Sequence, residues 1–106
     1  MGQILTVFRS RLRSDIHPGA EYGPMAADME AAARAMPGFV DVRGYTAPDG
    51  ERVTVVVFES KATHDAWRDQ LEHRRAQRAG RERFYAEYQL QVCEVLYERR
   101  FESSSG

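Results

Sequence analysis

Hydrophobic and polar positions alternate over residues 3–12, QILTVFRSRL, placing Ile4, Thr6, Phe8 and Ser10 on one face and Leu5, Val7, Arg9 and Arg11 on the other. A period of two, rich in β-branched and aromatic residues, predicts a strand. His17-Pro18-Gly19 breaks it, and from about Ala20 the period lengthens. Tyr22, Met25, Met29, Ala32, Ala33 and Met36 recur at helical spacing and leave Asp28, Glu30 and Arg34 outside, which predicts an amphipathic helix with a methionine-rich core stripe. Pro24 lacks an N–H and belongs in the first turn of that helix.

Residues 39–46 and 51–59 predict two more strands, joined by Pro48-Asp49-Gly50 as a hairpin loop, with Gly38 at the point where the chain turns out of the helix. Ser60 is placed to cap a second helix whose inner side carries Ala62, Ala66, Trp67 and Leu71. That helix runs out in the polar stretch EHRRAQRAGRER, where Gly80 ends or kinks it. Phe84, Tyr85 and Tyr88 predict an aromatic cluster on a short turn of helix, and residues 89–99 return to alternation as a fourth strand. The order βαββαβ predicts an α+β ferredoxin-like sandwich, a four-stranded antiparallel sheet with both helices on one face.

Such a sheet leaves its other face to water, so that face should be polar on every strand. It is not: strand three offers Val53, Val55 and Val57 against Thr54, Val56 and Phe58, and strand four offers Leu90, Val92 and Leu96 against Cys93, Val95 and Tyr97. At roughly 25 cal/mol per Å² of apolar surface, covering four such side chains is worth several kcal/mol, comparable with the stability of a small domain. The expected cover is a second copy of the same sheet, giving an obligate homodimer that joins through its sheet faces and closes toward a dimeric α/β barrel.

The 106 residues suit one domain, read as residues 1–102 with a frayed polar tail at 103–106. A net charge of -1 gives no field for gathering nucleic acid or an anionic membrane. All but Lys61 of the fifteen basic residues are Arg, which composition bias explains better than an anion site. The single cysteine, Cys93, permits no internal disulfide, reads as a buried strand residue, and has no zinc-spaced partners. No run approaches the ~20 apolar residues of a membrane span, and no signal peptide is evident, so the expected location is the cytoplasm. No Ser-His-Asp or Cys-His order, phosphate-cradling glycine loop or calcium loop is visible, which leaves hydrolase, kinase and calcium readings unsupported.

Met36-Pro37-Gly38-Phe39 at the close of helix one, the strand VVVFES at 55–60, Ala66-Trp67 inside helix two, and the run from Gly80 through Tyr88 together resemble the antibiotic biosynthesis monooxygenase family. The likeness spans residues 3–99 and implies small dimeric barrels built of ferredoxin-like protomers. It also implies a small-molecule pocket between sheet and helices, lined in part by Trp67. Members that degrade haem carry a histidine about ten positions after that tryptophan and an asparagine on strand one. Gln77 and Ser10 stand at those positions, so haem is disfavoured and neither a cofactor nor a metal is expected. Members that oxidise phenols to quinones without a cofactor pair the tryptophan with an asparagine one turn earlier and a tyrosine about six residues later, where this chain has Thr63 and His73.

Cofactor-free oxygenation needs an activatable aromatic or enol substrate, a base, and a dry pocket. On that reading His73 is the base, Thr63 an anchoring hydrogen bond, and Tyr85 a phenol that orients or protonates. Trp67, Phe8, Ser10 and Phe58 form the substrate-contact set. Plainer roles stand beside these: Trp67 as the plug of the core, His73 as a solvated helix-end residue, and Phe84, Tyr85 and Tyr88 as a seal. His17 and His64 rank below His73. The alternatives to a cofactor-independent monooxygenase acting on a small aromatic or polyketide-like molecule are a non-enzymatic dimer that binds a metabolite and, below that, a haem-degrading enzyme.

Overall fold

In a computed structural model the described residues are 2–14, 23–77 and 85–103, with the side chains of 23–26, 72–77 and 85 outside the described set. The elements are β1 (Ile4–Leu12), α1 (Gly23–Arg34), β2 (Phe39–Thr46), β3 (Arg52–Phe58), α2 (Lys61–Gln77) and β4 (Tyr85–Glu94). The sheet order is β2-β3-β1-β4 and every pairing is antiparallel. This is the ferredoxin-like βαββαβ arrangement that the alternation predicts. The hairpin between β2 and β3 closes where Ala47 N–H donates to the Glu51 carbonyl at 2.8 Å and Gly50 N–H to the Ala47 carbonyl at 2.9 Å. Gly50 supplies the positive φ of 93° that the turn requires.

Register decides which side chains meet the helices. Ile4, Thr6, Phe8 and Ser10 of β1 stand opposite Phe58, Val56, Thr54 and Arg52 of β3 on one side and Glu94, Val92, Leu90 and Tyr88 of β4 on the other. Directly opposed residues share a face, so all of these point toward the helices. α1 packs on β2 and α2 on β3, and between them lies the core of Ala33, Val42, Val56, Phe58, Trp67 and Leu71, with Met29, Met36 and Phe39 packed against it. Phe58 stacks on Trp67 with ring centres 5.2 Å apart and meets the edge of Phe39 at 6.0 Å.

Four expectations change. β4 begins at Tyr85 rather than at residue 89, so Tyr85 and Tyr88 belong to a strand and not to a helical turn; Phe84 lies outside the described residues. β4 also stops at Glu94, because its partner β1 runs from Ile4 to Leu12 and beyond Ile4 only the Val95 N–H to Gln3 carbonyl bond, at 2.9 Å, continues the ladder. Leu96, Tyr97 and Phe101 therefore follow the strand as an arm and are 88%, 73% and 85% exposed. The shifted register makes the helix-free face of β4 polar, with Glu87, Gln89, Gln91 and an exposed, not buried, Cys93. On α2 the buried side is His64, Trp67 and Leu71, whereas Ala62 and Ala66 face outward.

The helix-free face is apolar at its centre, where Leu5 and Val7 lie beside Val53, Val55 and Val57. Two ion-pair groups on β1 tie the rim of this face to the hairpin: Arg9 binds both carboxylate oxygens of Glu51 at 3.0 and 3.1 Å, and Arg11 bridges Asp49 at 2.7 Å and Glu87 at 3.2 Å. Among the described residues no helix is long and apolar enough to cross a membrane.

Candidate functional site

The site begins with the way α2 starts. Ser60 is its N-cap: the Thr63 N–H donates to the Ser60 hydroxyl at 3.2 Å, while the Thr63 hydroxyl lies 3.1 Å from the Ser60 carbonyl and 3.3 Å from its N–H. This reciprocal pairing satisfies helix-end groups that would otherwise lack partners. Gly38, at φ 81°, lets the preceding loop press against it, since a Cβ there would sit 2.5 Å from the Thr63 Cβ. The cap thus fixes α2 so that position 64, not position 63, points at the sheet.

His64 is 1% exposed, with its ring edge-on to Phe58 and Trp67 at 6.3 and 5.7 Å. Its Nε2 lies 2.9 Å from the hydroxyl of Thr6 on β1, and its Nδ1 lies 3.0 Å from Asp65 Oδ1. Asp65 also accepts from Lys61 Nζ at 2.6 Å and lies 3.8 Å from Arg68. The Lys61 hydrogen bond and then that of His64 hold the Asp65 carboxyl down at about 2. An ionised Asp65 can only accept, so Nδ1 carries the proton, and in the tautomer with that one ring proton Nε2 is the acceptor. The Thr6 hydroxyl therefore donates to Nε2 and keeps its lone pairs for another donor.

Along the same face of β1, Ser10 is 2% exposed and its hydroxyl is a buried side-chain polar atom without a hydrogen-bond partner among the described residues. Such a group in a folded protein calls for a ligand or a water, because leaving it dry costs free energy. Between Thr6 and Ser10 lies Phe8, whose ring packs against Tyr88 at 5.6 Å with a tilt of 39°. Tyr88, Leu90 and Val92 of β4 continue this surface and are exposed, although they face the helix side of the sheet. The result is an apolar strip along β1 and β4 with a polar atom buried at each end.

Phe8 and Ser10, two of the expected substrate contacts, lie on this strip. Trp67 and Phe58 stack in the core beside it, with His64 between them and the strip. The Thr63 hydroxyl is engaged in the helix cap. His73 lies in the last turns of α2 and Tyr85 opens β4, but the side chains of both fall outside the described residues. Sequence reasoning ranks His64 below His73 and leaves Thr6 out of the site. The signal that could have found them is the 64/67/71 spacing, which places His64 on the same buried stripe as the tryptophan. Among the described residues no group of acidic, histidine or cysteine side chains could hold a metal ion.

No family model matches the chain. It is 31% identical over 100 residues to the uncharacterized protein YqjZ of Bacillus subtilis, covering 94% of this chain and 86% of that one. Among solved structures it is similar to a variant of SnoaB, a cofactor-independent oxygenase from Streptomyces nogalater, with a TM-score of 0.72 at 19% identity over 92% of this chain and 97% of that one. It is also similar to a Bordetella bronchiseptica protein assigned to the antibiotic biosynthesis monooxygenases, with a TM-score of 0.66 at 14% identity over 92% and 100% of the two chains. A variant of MhuD bearing two manganese protoporphyrin IX molecules per active site gives 0.65 at 18% identity over 92% and 99%. These structural likenesses are of fold.

Proposed function

We propose a function from the premise that this chain belongs to the same family as YqjZ and has the fold of the antibiotic biosynthesis monooxygenases: it is a cofactor-independent monooxygenase acting on a fused-ring aromatic of polyketide type. The observation that carries this reading is the apolar strip of Phe8, Tyr88, Leu90 and Val92 with the Ser10 hydroxyl, partnerless among the described residues, at one end and Thr6 at the other. Residues four apart on a strand are ~13 Å apart. Allowing ~2.8 Å for a hydrogen bond at each end leaves roughly 7–8 Å between two ligand oxygens, the span of two fused aromatic rings. Oxidation of a ring-flanked CH₂ to C=O balances the full reduction of one dioxygen, with one oxygen atom kept in the product and the other leaving as water, so no external reductant is needed.

Haem does not fit the residues described. Both ring nitrogens of His64 are in hydrogen bonds, to Thr6 and to Asp65, so neither is free for iron. The position where the family's haem-degrading members place their iron ligand holds Gln77.

The same reading includes assembly. A second copy covers the apolar centre of the helix-free face, Leu5, Val7, Val53, Val55 and Val57, and takes up the exposed arm with Leu96, Tyr97 and Phe101. Burial of these side chains, at roughly 25 cal/mol per Å² of apolar surface, supports this reading.

Oxygen consumption by metal-free protein, measured against a panel of anthrones, tests the proposal. Uptake that is retained under chelation and is not stimulated by added haem is expected. Binding of the panel without any uptake would leave a non-enzymatic small-molecule binder, a reading to which the Ser10 hydroxyl is equally suited.

A further inference from the structure

We infer that Thr6, His64 and Asp65 form a proton relay, in which the Thr6 hydroxyl takes the proton of a bound phenol or enol while passing its own to His64 Nε2. The inference rests on the ligand site proposed above and assigns its base. The 2.9 Å and 3.0 Å separations are hydrogen-bond distances on both ring nitrogens. They reproduce the order hydroxyl, imidazole, carboxylate that activates hydroxyl groups elsewhere in enzyme chemistry, although here the three residues come from β1 and the first turn of α2.

Thr6 is 3% exposed, and its neighbours across the sheet, Val56 and Val92, are aliphatic. Beside it on β4, Val92 is exposed. A ligand lying on Phe8, Leu90 and Val92 can direct an O–H at the Thr6 lone pairs. In the step, the ligand O–H bond breaks and Thr6 gains that proton. The Thr6 O–H bond breaks in turn, Nε2 is protonated, and the products are a ligand anion, an unchanged threonine and an imidazolium. Asp65, ionised and facing Nδ1–H, stabilises the imidazolium. The other charged groups near it, Lys61 and Arg68, bind Asp65 rather than the ring, and the residues facing the ring from β1 and β3, Thr6 and Phe58, are uncharged.

A chromogenic phenol reads this relay without turnover. With 4-nitrophenol as the probe, phenolate absorbance is recorded across pH for the native protein and for Thr6→Val, Thr6→Ser and His64→Gln, with thermal unfolding of each confirming the fold. The native protein is expected to ionise bound nitrophenol at a pH at least one unit below that for the free probe. Thr6→Val and His64→Gln should lose that shift, and Thr6→Ser should restore it. Equal shifts in all four proteins, or no binding of the probe, would overturn the relay. Ionisation that follows this pattern without oxygen uptake on any substrate would retain the relay and remove the oxygenase reading.

Discussion

Removing the Ser10 hydroxyl should stabilise the empty protein and weaken its ligand complex. The hydroxyl is 2% exposed with no hydrogen-bond partner among the described residues, and a buried unsatisfied polar group costs about 1–3 kcal/mol. Ser10→Ala relieves that cost and opens a void of only one atom, so the expected net gain is about 1 kcal/mol. For a domain of this size that corresponds to a rise of roughly 4 °C in melting temperature. Urea unfolding without ligand is the assay, and the midpoint should rise while the slope stays constant, since the surface exposed on unfolding is the same. In the complex the sign reverses: a lost hydrogen bond of about 1 kcal/mol lowers affinity for a naphthalene hydroquinone roughly fivefold. A Ser10→Ala protein less stable than the native one by 1 kcal/mol or more would mean that the hydroxyl has a partner, and the strip would lose its polar anchor.

Other substitutions probe the frame around the site. Gly38→Ala meets both the positive φ and the Thr63 side chain and should cost about 2–3 kcal/mol in urea unfolding, against about 1 kcal/mol for Gly50→Ala, which meets only the positive φ; equal losses would contradict the close approach. Thr63→Val should cost about 1 kcal/mol by removing the hydroxyl that pairs back to the Ser60 backbone, and an effect on oxygen uptake beyond that loss would return Thr63 to its role as a substrate anchor. Asp65 has its carboxyl lowered from 3.8 to about 2, so its contribution to stability is fully present above 3.8 and disappears as pH falls through 2. The stability difference between the native protein and Asp65→Asn should accordingly shrink over that window, and a constant difference would refute the pairing. Val55→Arg at the centre of the helix-free face should yield monomers by light scattering where the native chain gives dimers; a native monomer at micromolar concentration would end the homodimer proposal.

The fold was legible because its signals are local and agree with one another. β1 shows alternation over its whole length, Gly38 and Gly50 sit at the two positive-φ turns, and Ser60 caps the helix it was expected to cap. β4 was less legible because its limits are set by its partner: Tyr85 to Tyr88 read as helical in isolation, yet they lie opposite β1 and join the ladder. The site was legible only in part. Alternation alone places Phe8 and Ser10 on the helix-facing side of β1, whereas His64 ranks below His73 because its helix phase is fixed by a cap and not by its own type. A stripe drawn through Ala62 and Ala66 gives small residues the inner positions, but burying His64 with Trp67 and Leu71 covers more surface and satisfies two ring nitrogens.

The relay therefore depends on residues outside it. An α-helix turns by about 100° per residue, so displacing the cap by one residue would carry His64 out of the core and bring a neighbour in. Ser60 and Thr63 prevent that by satisfying each other's backbone and hydroxyl groups, and Gly38 permits it by leaving room for the Thr63 side chain. Phe58, fully buried at the end of β3, supplies the surface against which both the imidazole and the indole rest. The hydroxyl of Thr6 is fixed independently, by the register of β1 between β3 and β4. Two separately specified elements thus deliver a donor and an acceptor to 2.9 Å inside the fold. Aliphatic neighbours would have made a simpler core at that point, and the buried polar pair beside an open apolar strip is what ties the chemistry proposed here to this chain rather than to the fold at large.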